Sequence, residues 1–213
     1  MSPEPGLTAP EPADATAAEP TTLTNPVGPP ELVIFIGLQA AGKTTFYHAR
    51  FAATHAHISK DLLRNNKRPE RRQTQLIAEA LAAGRSVVVD NTNATVADRA
   101  TLIGLGRAAG AAIIGYYFPT TVGASLTRNR ERTGRARVPD VAIFARARQL
   151  APPAYGEGFD ALFTVAIAGE GAFTVTRMDE TVGETAQAGE TPTEEAPVSE
   201  PKSGQAETRG SDG

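Results

Sequence analysis

Eight consecutive residues carry the strongest chemical signal in the sequence. Gly37-Leu38-Gln39-Ala40-Ala41-Gly42-Lys43-Thr44 has the spacing G-x-x-x-x-G-K-[ST]. The glycines permit a tight turn that gathers successive backbone N–H groups around an anion. A helix opening at Lys43 adds the positive end of its dipole. Lys43 brings a point charge to the β- and γ-phosphates of a nucleotide. The Thr44 hydroxyl is a hard oxygen donor suited to Mg²⁺. Thr45 reads as a helix residue at the edge of the same cradle. Residues 37–45 are therefore expected to bind a nucleoside triphosphate. No Asn-Lys-x-Asp guanine reader occurs in the sequence, so ATP with Mg²⁺ is the expected pair.

Three further stretches bear on what is done with the phosphate. In Ser59-Lys60-Asp61-Leu62-Leu63-Arg64 a carboxylate and a guanidinium stand three residues apart, on one face of a helical turn. Asp61 there can accept the proton of an attacking hydroxyl, and Arg64 can hold a substrate phosphate. The same pair also fits a surface ion pair at a helix start. Asp90, at the end of Ser86–Asp90 and before Asn91-Thr92-Asn93, stands where a strand beside the phosphate loop would present it to Mg²⁺ or to Arg64. That stretch equally fits an Asx turn with Asn93 or Thr95 as helix cap. Arg128, Arg130, Arg132, Arg135 and Arg137 fall within ten residues ending at Val138-Pro139. They suit a lid that neutralises a transferring phosphoryl group, or a solvated basic loop.

These residues need elements to position them, and the hydropathy pattern supplies an alternation. Leu32–Ile36 is a continuous apolar run, as in a strand buried on both faces. Helical spacing is expected at 43–54, 70–83, 96–109, 122–132 and 140–150. Strands are expected at 86–90, 111–118, 161–167 and 173–175, with a short one ending at His57-Ile58-Ser59. Gly84 and Gly110 stand where helix C-caps should. The pattern predicts an α/β fold, a parallel sheet with helices on both faces. His48, His55 and His57 cluster at a helix end and read as incidental.

Charge divides the chain in three. The 213 residues carry a formal net charge of −3, yet residues 1–30 hold −4, residues 180–213 hold −6 and residues 31–179 hold +7. Eleven of the 16 prolines lie in the two acidic segments. Such segments bury too little apolar surface to offset chain entropy, so disordered tails are expected at 1–30 and 180–213 around one domain at 31–179. With Cys 0, disulfides, thiolate metal sites and thiol nucleophiles are excluded. No apolar run approaches the ~20 residues of a membrane span, and residues 1–30 lack the basic start and apolar core of a signal peptide. A cytoplasmic protein with no membrane partner is expected.

The order of the motifs resembles the kinase domain of the polynucleotide 5′-kinases, an AAA-type ATP-binding domain with the P-loop NTPase fold. That family has a P-loop, a Ser-x-Asp-x-x-Arg element, a strand ending in Asp-Asn-Thr-Asn or Asp-Thr-Asn, and an R-x-x-x-R lid before Val-Pro. Here these are Gly37–Thr44, Ser59–Arg64, Asp90-Asn91-Thr92-Asn93, and Arg128 with Arg132 before Val138-Pro139. Glu157-Gly158-Phe159-Asp160 is similar to a short signature near the end of that domain. The likeness covers roughly residues 32–167. It implies Asp61 as general base on a 5′-hydroxyl and Arg64 on the phosphate next to the acceptor nucleoside. It also implies Arg128 and Arg132 on the ATP phosphates, and Asp90 on the metal or acceptor side. Two departures stand out: phosphatase and ligase motifs are absent, and Ala94 replaces a common Pro. The acceptor is thus expected to be a polynucleotide, favoured by Lys60, Arg64, Lys67, Arg68, Arg71 and Arg72. The alternatives are a sugar, nucleotide-sugar or antibiotic hydroxyl, or a non-catalytic ATP-binding module.

Overall fold

The computed structural model describes residues 28–180. The expected tails fall outside them, apart from residues 28–30 and 180. Six strands form one sheet: β1 (Glu31–Gly37), β2 (Ala56–Ile58), β3 (Val87–Val89), β4 (Ala112–Phe118), β5 (Ala161–Ile167) and β6 (Phe173–Arg177). Five helices connect them: α1 (Lys43–Arg50), α2 (Pro69–Ala82), α3 (Val96–Ala108), α4 (Val122–Arg130) and α5 (Asp140–Gln149). The strand order is β2-β3-β1-β4-β5-β6.

The apolar run of β1 makes it a central strand, parallel to β3 on one side and to β4 on the other. Its alternating side chains feed two cores. Leu32, Ile34 and Ile36 pack with Ile77 and Leu81 of α2 and with Leu102 and Ile103 of α3. Val33 and Phe35 pack on the other face with Phe46 and Tyr47 of α1, Phe51 and Phe118. The helices therefore cover both faces, as the alternation predicts. Phe35 lies 5.3–6.0 Å, ring centre to ring centre, from Phe46, Phe51, Tyr116 and Phe118. Such pairs add about 0.5–1.5 kcal/mol each beyond the area they bury. On the opposite face, Gly106 lets α3 approach closely: a Cβ there would stand 2.3 Å from Ile113 Cδ1.

The sheet is parallel, as expected, except at one edge. β6 pairs antiparallel with β5, from Phe163↔Arg177 to Ile167↔Phe173. Only residues 168–172 separate the two strands, far fewer than the dozen or more a parallel crossover needs. Several helices also stop short of their expected ends. α1 closes at Arg50, where the Phe51 and Ala52 amides both bond to Tyr47 O. α4 closes at Arg130, so Arg132 lies in the following loop rather than on the helix.

The connections leaving β1 and β3 run to opposite faces, because α1 lies in one core and α3 in the other. A crevice therefore opens between the carboxyl ends of β1 and β3, where open α/β sheets place their ligands. Thr95 caps α3 in a reciprocal box with Asp98, which fixes where the loop after β3 must end. Arg99, fully buried, braces the same loop. Its Nη1 donates to the carbonyls of Asn93, Ala94 and Ala151, and its Nε and Nη2 donate to Glu157 at 2.6 and 2.7 Å. Among the described residues no helix is long and apolar enough to cross a membrane.

Candidate active site

The phosphate loop leaves β1 at Gly37 and enters α1 at Lys43. Gly37 has φ +151°, and a Cβ there would stand 2.9 Å from Phe118 O, so the turn requires glycine. Ala40 (φ 58°) and Gly42 (φ 91°) both take left-handed conformations, which brings successive amides to one side of the chain. Among the described residues, no hydrogen bond occupies the backbone N–H groups of residues 38–44. Seven donors at a strand–helix junction form an anion cradle. Gln39 Oε1 is buried there without a partner. Lys43 is buried, and its Nζ donates to Gly37 O at 3.0 Å and Leu38 O at 2.6 Å. Burial pushes its pKa down to about 8, against the attraction of the Asp90 and Asp61 charges.

The structure brings Thr44 and Asp90 together. Thr44 Oγ1 donates to Asp90 Oδ2 at 2.6 Å. Asp90 follows β3 directly and is buried. Burial works to raise its pKa, but hydrogen bonds from His57 and Thr44 and the Lys43 charge overcome it and hold the carboxyl below its usual range. His57 is therefore not incidental. Its Nε2 lies 3.1 Å from Asp90 Oδ2, and its ring stacks on Tyr47 at 4.0 Å. The sheet register explains the meeting: His57 is level with Val88, two residues before Asp90, on the neighbouring strand.

Beyond β2, Ser59 caps a short 3₁₀ turn, Lys60–Leu63, by accepting from the Asp61 amide. The turn carries Asp61 at its exposed rim. Arg64 Nη2 and Nε reach Asp61 Oδ1 at 2.6 and 3.2 Å, so the two sequence-predicted acceptor residues are paired. Arg64 Nη1 also donates to Arg135 O at 3.0 Å, tying this turn to the arginine-rich loop. Asn91 fastens the turn from the other side: its Oδ1 accepts from the Lys60 amide and its Nδ2 donates to Gln73.

The expected lid arginines part company. Arg128 Nε donates to Ala40 O at 2.6 Å and its Nη2 to Thr120 Oγ1 at 2.6 Å, so Arg128 fastens the phosphate loop to α4. Ser125 Oγ likewise donates to Gln39 O. Arg132 lies on the loop, with one long contact to Ala136 O, and its charge lowers the Lys43 pKa. A buried residue that sequence reasoning missed clips this loop at its base. Asn129 Nδ2 donates to Val138 O at 2.8 Å, and Asn129 Oδ1 accepts from Val138 N at 3.1 Å. The sequence also gave no sign of a cleft of about 260 Å³ between Ala40, Gly42, Thr45, Arg128, Arg132, Ile167 and Phe173. Its outer wall comes from the β5–β6 hairpin, more than 120 residues from the loop it faces.

The Glu157–Asp160 signature proves to be bracing. Glu157 holds Arg99, Phe159 is buried in the core, and Asp160 pairs with Arg107 at 2.6 Å while accepting from the Ile113 amide.

The fold and the loop together define a P-loop kinase-like domain. The family model described as an AAA domain matches residues 32–153, and the chain belongs to that family. Solved structures share the fold at low identity. A fungal RNA kinase aligns at 15% identity and a TM-score of 0.53, over 64% of this chain and 38% of its own. Kti12 of Chaetomium thermophilum, solved with ADP-AlF3, aligns at 17% and 0.50, over 64% and 89%. A chain of the Pnkp1/Rnl/Hen1 RNA repair complex aligns at 23% and 0.49, over 61% and 47%. The match thus spans about half the length of that last relative.

Proposed function

We propose that this chain is an ATP- and Mg²⁺-dependent kinase that phosphorylates the 5′-hydroxyl of a polynucleotide. The observation that carries the reading is the exposed Asp61–Arg64 pair, set beyond β2 within electrostatic reach of Lys43. Binding ATP alone requires neither residue. That the Chaetomium relative was solved with ADP-AlF3 supports an adenine nucleotide as the ligand, and that the fungal relative is an RNA kinase supports a nucleic-acid acceptor.

The free amides of residues 38–44 and the Lys43 ammonium hold the β- and γ-phosphates. The nucleoside occupies the cleft between Arg128, Ile167 and Phe173. Thr44 and Asp90 fit a divalent cation. Both offer oxygen, they already meet, and Asp90 is held ionised. Mg²⁺ held there would neutralise charge on the β- and γ-oxygens. Asp61 orients the acceptor hydroxyl and takes its proton as the oxygen bonds to Pγ. The Pγ–O bond to the β-phosphate breaks, and ADP leaves with that electron pair. Arg64 turns from Asp61 to the acceptor's nearest phosphate. Arg132 closes on the charge that develops in transfer. Leu62, 65% exposed beside Asp61, offers apolar surface to the terminal nucleoside.

The test uses γ-labelled ATP, Mg²⁺ and 5′-hydroxyl DNA and RNA oligonucleotides, with Lys43→Ala as blank. Label on the 5′ end that vanishes in the variant supports the proposal. If ATP binds and no label reaches either strand, the polynucleotide reading fails, and a small-molecule kinase or a non-catalytic ATP-binding module is left.

A further inference from the structure

A second concave surface lies just past Arg64. A groove of about 330 Å³ is lined by Asn66, Lys67, Arg68, Arg71, Arg72 and Gln75. Arg68, Arg71, Arg72 and Gln75 follow one another at helical spacing along one side of α2. The buried residues Gln73, Ile77, Ala80 and Leu81 occupy the other side. The polar stripe is therefore fixed by the packing of α2 on the sheet. It runs about 10 Å along the helix.

The charges in this groove are unevenly committed. Arg72 lies 3.9 Å from Glu79, which also accepts from Gln75. Glu70, the other nearby acid, is 3.6 Å from Lys60. Among the described residues, no carboxylate lies within ion-pair distance of Lys67, Arg68 or Arg71. Residues 60–72 hold six bases and two acids, a net of +4 in thirteen residues. Three uncompensated cations in a concavity repel one another, and nothing in the packing of α2 requires them. No Trp, Tyr or Phe lines the groove, so it offers no platform for base stacking.

We infer that this groove holds the sugar–phosphate backbone of a single-stranded acceptor downstream of its 5′-terminal nucleotide, through Lys67, Arg68 and Arg71. The inference rests on the polynucleotide reading above and deepens it. Arg64 takes the first phosphate, and the chain continues from Arg64 into the groove within two residues. The strand is read by its charge, so binding is indifferent to base sequence and strengthens with length until the groove is filled.

The test measures binding apart from transfer. Fluorescence anisotropy follows 3′-labelled 5′-hydroxyl oligonucleotides of two and twelve nucleotides, DNA and RNA, on the full chain across a salt series. The variants are Lys67→Ala/Arg68→Ala/Arg71→Ala and the charge-preserving Lys67→Arg/Arg68→Lys/Arg71→Lys. All three positions are exposed, and an unchanged melting temperature with unchanged ATP affinity shows that the fold is intact. Each phosphate contact contributes about 0.7 to the salt slope for single strands. The alanine variant should therefore lose about 2 from the slope and bind the 12-mer about 100-fold more weakly at 0.1 M salt. Binding of the dinucleotide should hardly change, and the charge-preserving variant should behave as wild type. If the alanine variant binds the 12-mer as wild type does, the groove is not the strand site, whatever the kinase assay shows. If the 12-mer depends on the groove yet accepts no label, the groove assignment stands and the 5′-kinase reading falls.

Discussion

Lys43 shows what the loop demands of a single residue. Its ammonium is buried and held by two carbonyls, so its pKa falls to about 8. A bound polyphosphate favours the charged form and raises that pKa again. Above pH 8 nucleotide binding must therefore take up a proton. ATP affinity should fall as pH rises from 8 to 10, and Lys43→Arg should flatten the dependence. Calorimetry at pH 8.5 in two buffers of different ionisation enthalpy would detect the uptake; equal heats in both would remove this account. The same shift has a stability consequence. The folded pKa lies below the unfolded one, so between pH 8 and 10.5 the unfolded state holds more protons, and the penalty for burying the charged Lys43 is progressively relieved as pH rises. Asp61 differs, since it is exposed and its carboxylate is bonded to Arg64 rather than to the phosphate loop. Asp61→Asn should lower turnover about 10²–10⁴-fold, the span of general-base effects, and leave ATP affinity unchanged. Turnover at the wild-type rate would end its assignment. Lys43, Thr44 and the Asp61–Arg64 pair were legible because local spacing alone places them. His57 was not, because only the register of β2 on β3 brings it to Asp90.

At the scale of elements, two buried polar braces hold the loops that follow β3 and α4. Arg99 anchors the loop after β3 through the Asn93 and Ala94 carbonyls and ties it to the Ala151 carbonyl beyond α5 and to Glu157. Removing one member of a buried ion pair leaves the other charge uncompensated, at a cost of about 3–5 kcal/mol. Arg99→Met should lower stability by that amount in urea unfolding, and adding Glu157→Gln should restore part of it. If the single variant unfolds at the wild-type midpoint, the brace is not stabilising. Asn129 is the second brace, closing the arginine-rich loop on Val138 as a strand partner would. Neither brace is visible in the sequence. An Arg on α3 and an Asn on α4 read as solvent-facing until the fold buries them. The strands were legible as apolar runs bounded by Gly and Pro. The direction of β6 turned on loop length, since five residues cannot make a crossover.

For the whole molecule, the net charge of −3 conceals a segment of +7 between two acidic ones, and only that partition was legible in composition. It says that the middle segment is basic; it does not say where the uncompensated cations gather, which required the placement of α2. The same consideration applies to nucleotide binding. The free amides of residues 38–44 have no partner among the described residues, so a bound triphosphate satisfies groups that folding leaves open. Binding to the folded state alone stabilises it by about 2.7 kcal/mol at a ligand concentration 100 times Kd. For a chain of this length each kcal/mol moves Tm by roughly 2–4 °C. Mg²⁺ with ATP at that excess should therefore raise Tm by about 5–11 °C. Chelating the metal should remove part of the shift, because a cation held by Thr44 and Asp90 would supply charge that offsets the phosphates. Lys43→Ala should remove most of it, whereas Asp61→Asn should keep it whole. A shift that survives Lys43→Ala would mean that the nucleotide sits elsewhere on the molecule, and that the loop after β1 is a turn and nothing more.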